Sequence, residues 1–192
     1  MKRILFGVIC LFAVASLSSC SYNTLVKLDE NVKSSWAQVE NAYQRRADLI
    51  PNLVNTVKGA ADFEKGTLTA VIEARAKATS TTIDPSNLTP EAIEKFQASQ
   101  DGLSQSLSKL MVVVEKYPDL KANQNFRDLQ VQLEGTENRI STERRAFNEA
   151  TQEFNAKLRS FPTNITAGWF GFKEKGYFKA AAGSDKAPTV AF

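Results

Sequence analysis

Five polar residues sit at spacings where a row of apolar ones is expected: Arg46, Glu64, Gln100, Glu137 and Arg144. Two acids and two arginines in such a row can neutralise one another and fix how helices register, at some cost in stability. Alternatively, Glu64 and Glu137 can act as a general acid/base pair or as oxygen ligands of a hard cation. Nothing in their spacing specifies the second use, and a structural network is the reading adopted here. Arg46→Met is then expected to lower stability by leaving a buried acid unpaired. Composition removes most other chemistry. The 192 residues contain no His, and the two Cys stand at positions 10 and 20. The commonest general base and the commonest metal ligand are thus missing. Past residue 20 there is no thiol for a nucleophile, a disulfide or a Cys/His zinc site. No catalytic, metal or cofactor site is assigned.

The first twenty residues say where such a chain goes. Met1-Lys2-Arg3 is a basic start, followed by an apolar run from Ile4 to Leu17. Fourteen residues at 1.5 Å rise span about 21 Å, short of the ~30 Å hydrocarbon core, so a signal-peptide core fits better than a permanent span. Leu17-Ser18-Ser19-Cys20 looks like a bacterial lipobox, in which the cysteine is acylated and the chain is cut just before it. Acyl chains, at about 0.8 kcal/mol per buried methylene, would then hold Cys20 at a bilayer surface. The expected divisions are a signal peptide 1–19, a lipidated anchor segment 20–23, a helical body 24–162 and an aromatic tail 163–192. Ser21 after the cysteine carries no acidic retention signal, which weakly favours the outer membrane in a cell with two. Cleavage would remove Lys2 and Arg3, leaving 22 of the 24 basic residues against 21 acidic ones. That near balance excludes a nucleic-acid partner.

The body must hold the five polar residues in place, and its periodicity is helical. With nine Gly and six Pro the chain is too poor in turn formers for a sandwich or barrel. A first segment from about Thr24 to Lys77, with Asn23 as N-cap, carries Trp36, Val39, Tyr43, Ile50, Leu53, Val57 and Ala60 on one seam. Pro51 within it predicts a kink, or two helices meeting there. A Ser/Thr/Asn/Pro-rich loop over 80–89 follows, with Thr89 as N-cap and Pro90 at the first helical position. The second helix places Ile93, Phe96, Gln100, Leu103, Leu107, Leu110, Val114 and Tyr117 on one face, and Pro118 ends it. In the third, Phe126, Leu133, Ile140, Phe147, Phe154 and Phe161 recur every seven residues, and Asn148 and Asn155 share a face. Gly135 lies inside that helix at a cost of about 1 kcal/mol, for which a close helix crossing would be one reason. The expected fold is all-α: an elongated antiparallel bundle of three to four long helices with an aromatic-rich C-terminal tail. Trp169, Phe170, Phe172, Tyr177 and Phe178 in that tail either pack on one end of the bundle or form an exposed patch for a partner or a membrane.

The run Arg46-Ala47-Asp48-Leu49-Ile50-Pro51-Asn52-Leu53-Val54 stands with Tyr22-Asn23, Glu64, Ala74-Arg75 and Glu115-x-Tyr117-Pro118-x-Leu120-Lys121-Ala122. Adding Glu134-Gly135-Thr136-Glu137-Asn138, the Phe-Asn pairs ending in Asn148 and Asn155, and Phe161-Pro162, the chain resembles the LemA family over nearly all of its length past the signal. The resemblance implies an antiparallel helical bundle tethered by its N-terminus, with its bulk outside the cytoplasm and no catalytic residues to carry over. Many members have an N-terminal membrane helix where this chain has the lipobox-like motif, and Phe63 stands where many have His.

These readings lead to a lipid-anchored, non-enzymatic helical module that binds an unidentified envelope protein. The alternatives are a carboxylate- or metal-assisted hydrolase of envelope material, and an extracytoplasmic ligand-sensing domain that works through a partner. Self-association through the seams is also open.

Overall fold

A computed structural model describes residues 2–59 and 64–180, with side chains from residue 22 onward except at Thr166. The side chains of the expected signal segment, and that of Cys20, therefore lie outside what is described. Six helices follow in order: α1 Lys2–Lys58, α2 Lys65–Ser80, α3 Pro90–Val114, α4 Pro118–Ala122, α5 Gln124–Arg159 and α6 Thr163–Thr166. The fold is all-α, and among the described residues there is no strand. Among them, too, no helix is long and apolar enough to cross a membrane.

Three long helices make the frame, with α1 packed along α5 and α2 along α3. The 36 residues of α5 extend about 54 Å. Helix starts follow the expected chemistry. Thr89 Oγ1 accepts the Ala92 N–H at 3.3 Å with Pro90 opening α3, and Asn123 Oδ1 accepts the Phe126 N–H at 3.3 Å to open α5. Asn23 is no cap, because α1 is already helical there.

The first long segment divides at a different place from the one the sequence suggested. α1 passes through Pro51 and ends at Lys58, and α2 begins at Lys65. Proline lacks the N–H that would bond the carbonyl four residues back, here Ala47. Arg75 of α2 supplies the missing donor: its Nε donates to the Ala47 carbonyl at 2.7 Å. A packed neighbour thus satisfies the group that proline orphans, and the helix continues.

Two buried clusters run end to end. One is mainly aliphatic and includes Ile50, Leu53, Val57, Leu68, Val71, Leu103, Leu107, Leu110, Phe126 and Leu133. The other is aromatic, with Trp36, Tyr43, Phe96, Phe147, Phe154 and Phe178 at its heart. Along α1 the aromatic cluster ends at Tyr43 and the aliphatic one starts at Ile50; along α3 the change falls between Phe96 and Leu103, and along α5 between Leu133 and Ile140. The boundary crosses the bundle at one level. The aliphatic half is closed by α2, the aromatic half by the extended segment 172–180.

Candidate functional site

The level where the two clusters meet is polar. Arg46 of α1 is 1% exposed. Its Nη1 donates to Glu137 Oε1 at 2.6 Å and to Ser104 Oγ at 2.7 Å, and its Nη2 donates to Gln100 Oε1 at 2.7 Å and to the Gln100 carbonyl at 3.3 Å. The guanidinium carbon lies 5.0 Å from the centroid of the Tyr43 ring. Gln100 Nε2 in turn donates to the Ala78 carbonyl at 3.2 Å, near the end of α2. One arginine therefore joins α1, α3 and α5, and the glutamine it holds reaches α2. A guanidinium spreads its donors over separate nitrogens in one plane and makes these four bonds at once, one more than the three donors of a lysine ammonium allow.

Of the five residues picked out by spacing, the structure gathers Arg46, Gln100 and Glu137. Glu137 is only half-buried, its side chain 46% exposed, so the buried member of the pair is the arginine and not the acid. Glu64 stands elsewhere. It is exposed at the start of α2, where Thr67 Oγ1 donates to its Oε2 at 3.3 Å. Ala78, at the polar level, lies fourteen positions further on, about 20 Å along the axis of α2. Arg144 serves the tail: its Nη2 donates to the Lys179 carbonyl at 2.8 Å, and the guanidinium carbon sits 4.7 Å from the Phe178 ring centroid. Burial pushes the Tyr43 phenol above its usual range, against the opposing pull of the Arg144 and Arg46 charges. Among the described residues no group of three or more His, Cys, Asp or Glu is arranged to hold a metal ion.

The second constellation is the hold on the tail. Asn155, fully buried, accepts the Lys175 N–H at 3.0 Å and donates to the Lys175 carbonyl at 2.9 Å and the Tyr177 hydroxyl at 3.1 Å. One heptad earlier, Asn148 accepts the Phe178 N–H at 2.9 Å and donates to its carbonyl at 3.0 Å. From α3, Gln97 does the same to Lys179, at 3.0 and 3.1 Å. Seven helical residues rise about 10.5 Å and three extended residues span about 10 Å. The asparagine spacing on α5 therefore matches the step from Lys175 to Phe178. Each carboxamide copies the hydrogen bonding of a neighbouring strand, so an extended segment lies against helices with its backbone satisfied.

Side chains of the tail seal this hold. Phe178 is buried between Trp36, Phe96 and Phe147, with ring centroids 5.5–6.4 Å apart. Lys175, 7% exposed, reaches Asp29 Oδ1 at 2.8 Å beside the Phe154 ring. Lys33 holds the other oxygen of Asp29, also at 2.8 Å. Burial pushes the Asp29 carboxyl up, but the two ammonium groups outweigh it and keep it below the usual range. Gly176 is required at its position: a Cβ there would meet the Pro90 Cα at 2.7 Å. The aromatic tail thus divides. Phe178 is buried and Phe172 partly so, while Trp169, Phe170 and Tyr177 remain exposed.

The other motif residues have visible places. Asp48 accepts from Gln44 at 2.8 Å on the surface, Leu49 and Ile50 pack into the aliphatic core, and Pro51 and Asn52 are exposed. Arg75 holds the Ala47 carbonyl. Tyr117 precedes Pro118 at the start of α4 and packs on the same core. Gln97, Lys175 and Asp29 were not picked out by spacing; each is a polar residue whose partner lies in a distant segment.

Comparison with known proteins agrees with these motifs. The chain aligns with magnetosome protein MamQ 2 of Paramagnetospirillum magneticum at 25% identity over 185 residues, covering 85% of this chain and 66% of the relative. It aligns with magnetosome protein MamQ of Magnetospirillum gryphiswaldense at 23% over 198 residues, covering 93% and 72%. Protein LemA of Metamycoplasma hominis is 23% identical over 145 residues, covering 76% and 63%. The chain thus spans about two thirds of the length of these relatives. The family model described as the LemA family matches residues 35–192. The chain belongs to the LemA family.

Proposed function

We propose that this protein is a membrane-tethered, non-enzymatic scaffold of a bacterial envelope: a helical rod, held at one end through Cys20, that presents its surface to a partner protein. The observation that carries the proposal is the use made of Arg46. The residue best suited to bind an anionic substrate is buried and bonded to Ser104, Gln100 and Glu137, where it ties three helices together. The asparagines of the Phe-Asn pairs are likewise engaged with the tail backbone. Polar residues on the seams thus act to hold shape, as a scaffold requires.

The test is mild crosslinking of the tagged full-length chain in its envelope, beside Cys20→Ala. A discrete partner protein recovered with the wild type and lost with Cys20→Ala is the expected result. A chain that stays in the soluble fraction with and without Cys20, and crosslinks to nothing, would overturn the tether and the scaffold together. A melting temperature that rises with a divalent cation and falls again with chelator would move the assignment to the metal-assisted hydrolase.

A further inference from the structure

One end of the bundle is apolar and open. Phe161 and Trp169 are each 80% exposed, Ile165 55%, Phe170 51% and Tyr22 40%. Four of them fall within residues 161–170, and the fold brings the distant Tyr22 to them. α6 packs against both α1 and α5, so Phe161, Ile165 and the following turn stay where α5 ends beside the early part of α1. The Phe170 ring centroid lies 4.7 Å from that of Tyr22, and Phe172 follows at 6.0 Å. Gly171, with φ +78, completes the turn, and the Phe172 N–H donates to the Ala167 carbonyl at 3.1 Å. The turn leaves Phe170 outside while Phe172 packs inward. Of the other large rings, Trp36, Tyr43, Phe96, Phe147, Phe154 and Phe178 lie in the core, while Tyr177, 38% exposed, stands on the tail.

Where this end sits follows from chain length. Tyr22 is two residues from Cys20, and two residues span at most about 7 Å even when fully extended. Whether acyl chains on Cys20 or the apolar run before it enter the bilayer, the face bearing Tyr22 must lie against the headgroups. Tyr and Trp, apolar in body and polar at the tip, are the side chains that favour that zone. We propose that Tyr22, Phe161, Ile165, Trp169 and Phe170 form a seat that inserts into the bilayer interface and holds the rod on its end. The proposal rests on the tethered reading above and adds a second, non-covalent contact to it.

The chain carries two tryptophans that report separately. Trp36 is buried at 0% exposure, whereas Trp169 is 80% exposed. The full-length protein, extracted with its anchor and reconstituted into phosphatidylcholine vesicles, is compared with Trp169→Leu, so that the difference spectrum belongs to Trp169. On reconstitution Trp169 emission should move to the blue, and acyl-chain bromines near the headgroups should quench it roughly twofold more than bromines at the bilayer centre. Trp36 should be quenched by neither. If the protein floats with vesicles while Trp169 keeps a water-like emission and full quenching by acrylamide, the seat is overturned and the tether stands. If Trp169 is shielded from acrylamide but untouched by lipid bromines, a protein surface such as a second copy covers the patch, and the seat is again overturned. Failure to float overturns the tether and the seat together.

Discussion

The two halves of the bundle solve one packing problem in different ways. Both use α1, α3 and α5 as a frame, and both need a further element to close the remaining side. In the half below the Arg46 level that element is α2, a helix whose backbone bonds are internal, so the frame has only to offer apolar contacts such as Leu107 and Leu110 to Leu68 and Val71. In the other half it is the extended segment 172–180, whose N–H and C=O groups have no partners of their own. The frame must then provide polar groups, and it does so with Asn148, Asn155 and Gln97. An extended strand is also about half as wide as a helix. Rings of Trp36, Phe96, Phe147 and Phe178 fill the extra space, where leucine and valine suffice under α2. The choice of closing element thus dictates both the polar residues and the size of the core residues beneath it.

The polar level between the halves gives the largest expected effect. The sequence suggested that Arg46→Met would strand a buried acid, but the structure reverses the asymmetry. Glu137 can turn to water, whereas Arg46 cannot. Glu137→Ala leaves a buried guanidinium short of its countercharge and should cost about 3 kcal/mol, the low end for a broken buried pair because one partner is half exposed. Arg46→Met removes the buried charge, fills the space with apolar atoms and should cost about 1 kcal/mol, mostly for unpaired groups on Gln100. Urea midpoints of the two variants measure the difference. Equal losses would mean that Glu137 and Arg46 share the burden, and that the level does not separate two differently built cores.

Next in size is the hold on the tail. Asn155→Ala leaves the Lys175 N–H and carbonyl without partners and should cost about 2 kcal/mol. The loss should appear as partial exposure of Trp36, because Phe178 stacks against it at 6.1 Å with the rings 15° from parallel. Amide exchange should quicken over 172–180 and stay slow in α2. If α2 loosened equally, the two halves would be one cooperative unit.

Much of the frame was legible in the sequence, because heptads in α5 and the three-four spacing in α3 report on burial directly. Thr89, Pro90 and the loop before them were legible for the same local reason. What was not legible depends on pairs far apart in the chain. Pro51 predicted a kink or a division of the helix, because Arg75, 28 residues from Ala47, cannot be known in advance to supply the missing donor. Asn148 and Asn155 showed a shared face but not what it held, since residues 172–180 have none of the alternation of a paired strand. Glu64 and Arg144 fitted the seam by counting, yet Glu64 stands exposed at the start of α2 and Arg144 faces the tail. Spacing finds a face and says nothing of the partner across from it.

A smaller effect separates the halves by pH. The Asp29 carboxyl, held below its ordinary value, binds its proton less readily folded than unfolded. Its contribution is therefore complete above an unfolded value of about 3.9 and disappears as pH falls through the lower, folded one. Asp29 anchors Lys175, so acid should loosen the tail before it loosens α2. Asp29→Asn should cost about 1–2 kcal/mol at pH 7, the cost of leaving a buried lysine half-paired, and should flatten the stability slope below pH 4. Urea midpoints of both proteins between pH 5 and pH 2 give the slopes; parallel curves would show that Asp29 does not carry the acid sensitivity.

The smallest effect tests whether the frame itself is tuned for packing where the two halves meet. Gly135 stands on α5 two residues before Glu137, and a close crossing by another helix was one reason to expect a glycine there. The structure gives it open space: a Cβ built on it meets nothing within 4 Å. It faces a surface groove lined by Asn41, Ala42 and Arg45 of α1 and by Gln132 and Arg139 of its own helix. With no contact to lose, Gly135→Ala should stabilise the protein by up to about 1 kcal/mol through helix propensity alone. A rise in the urea midpoint would assign this glycine to the groove's outer surface and leave packing to the Arg46 level. A fall would mean that α5 needs the freedom to bend between an aliphatic and an aromatic core, and that the frame is not shared passively by the two halves.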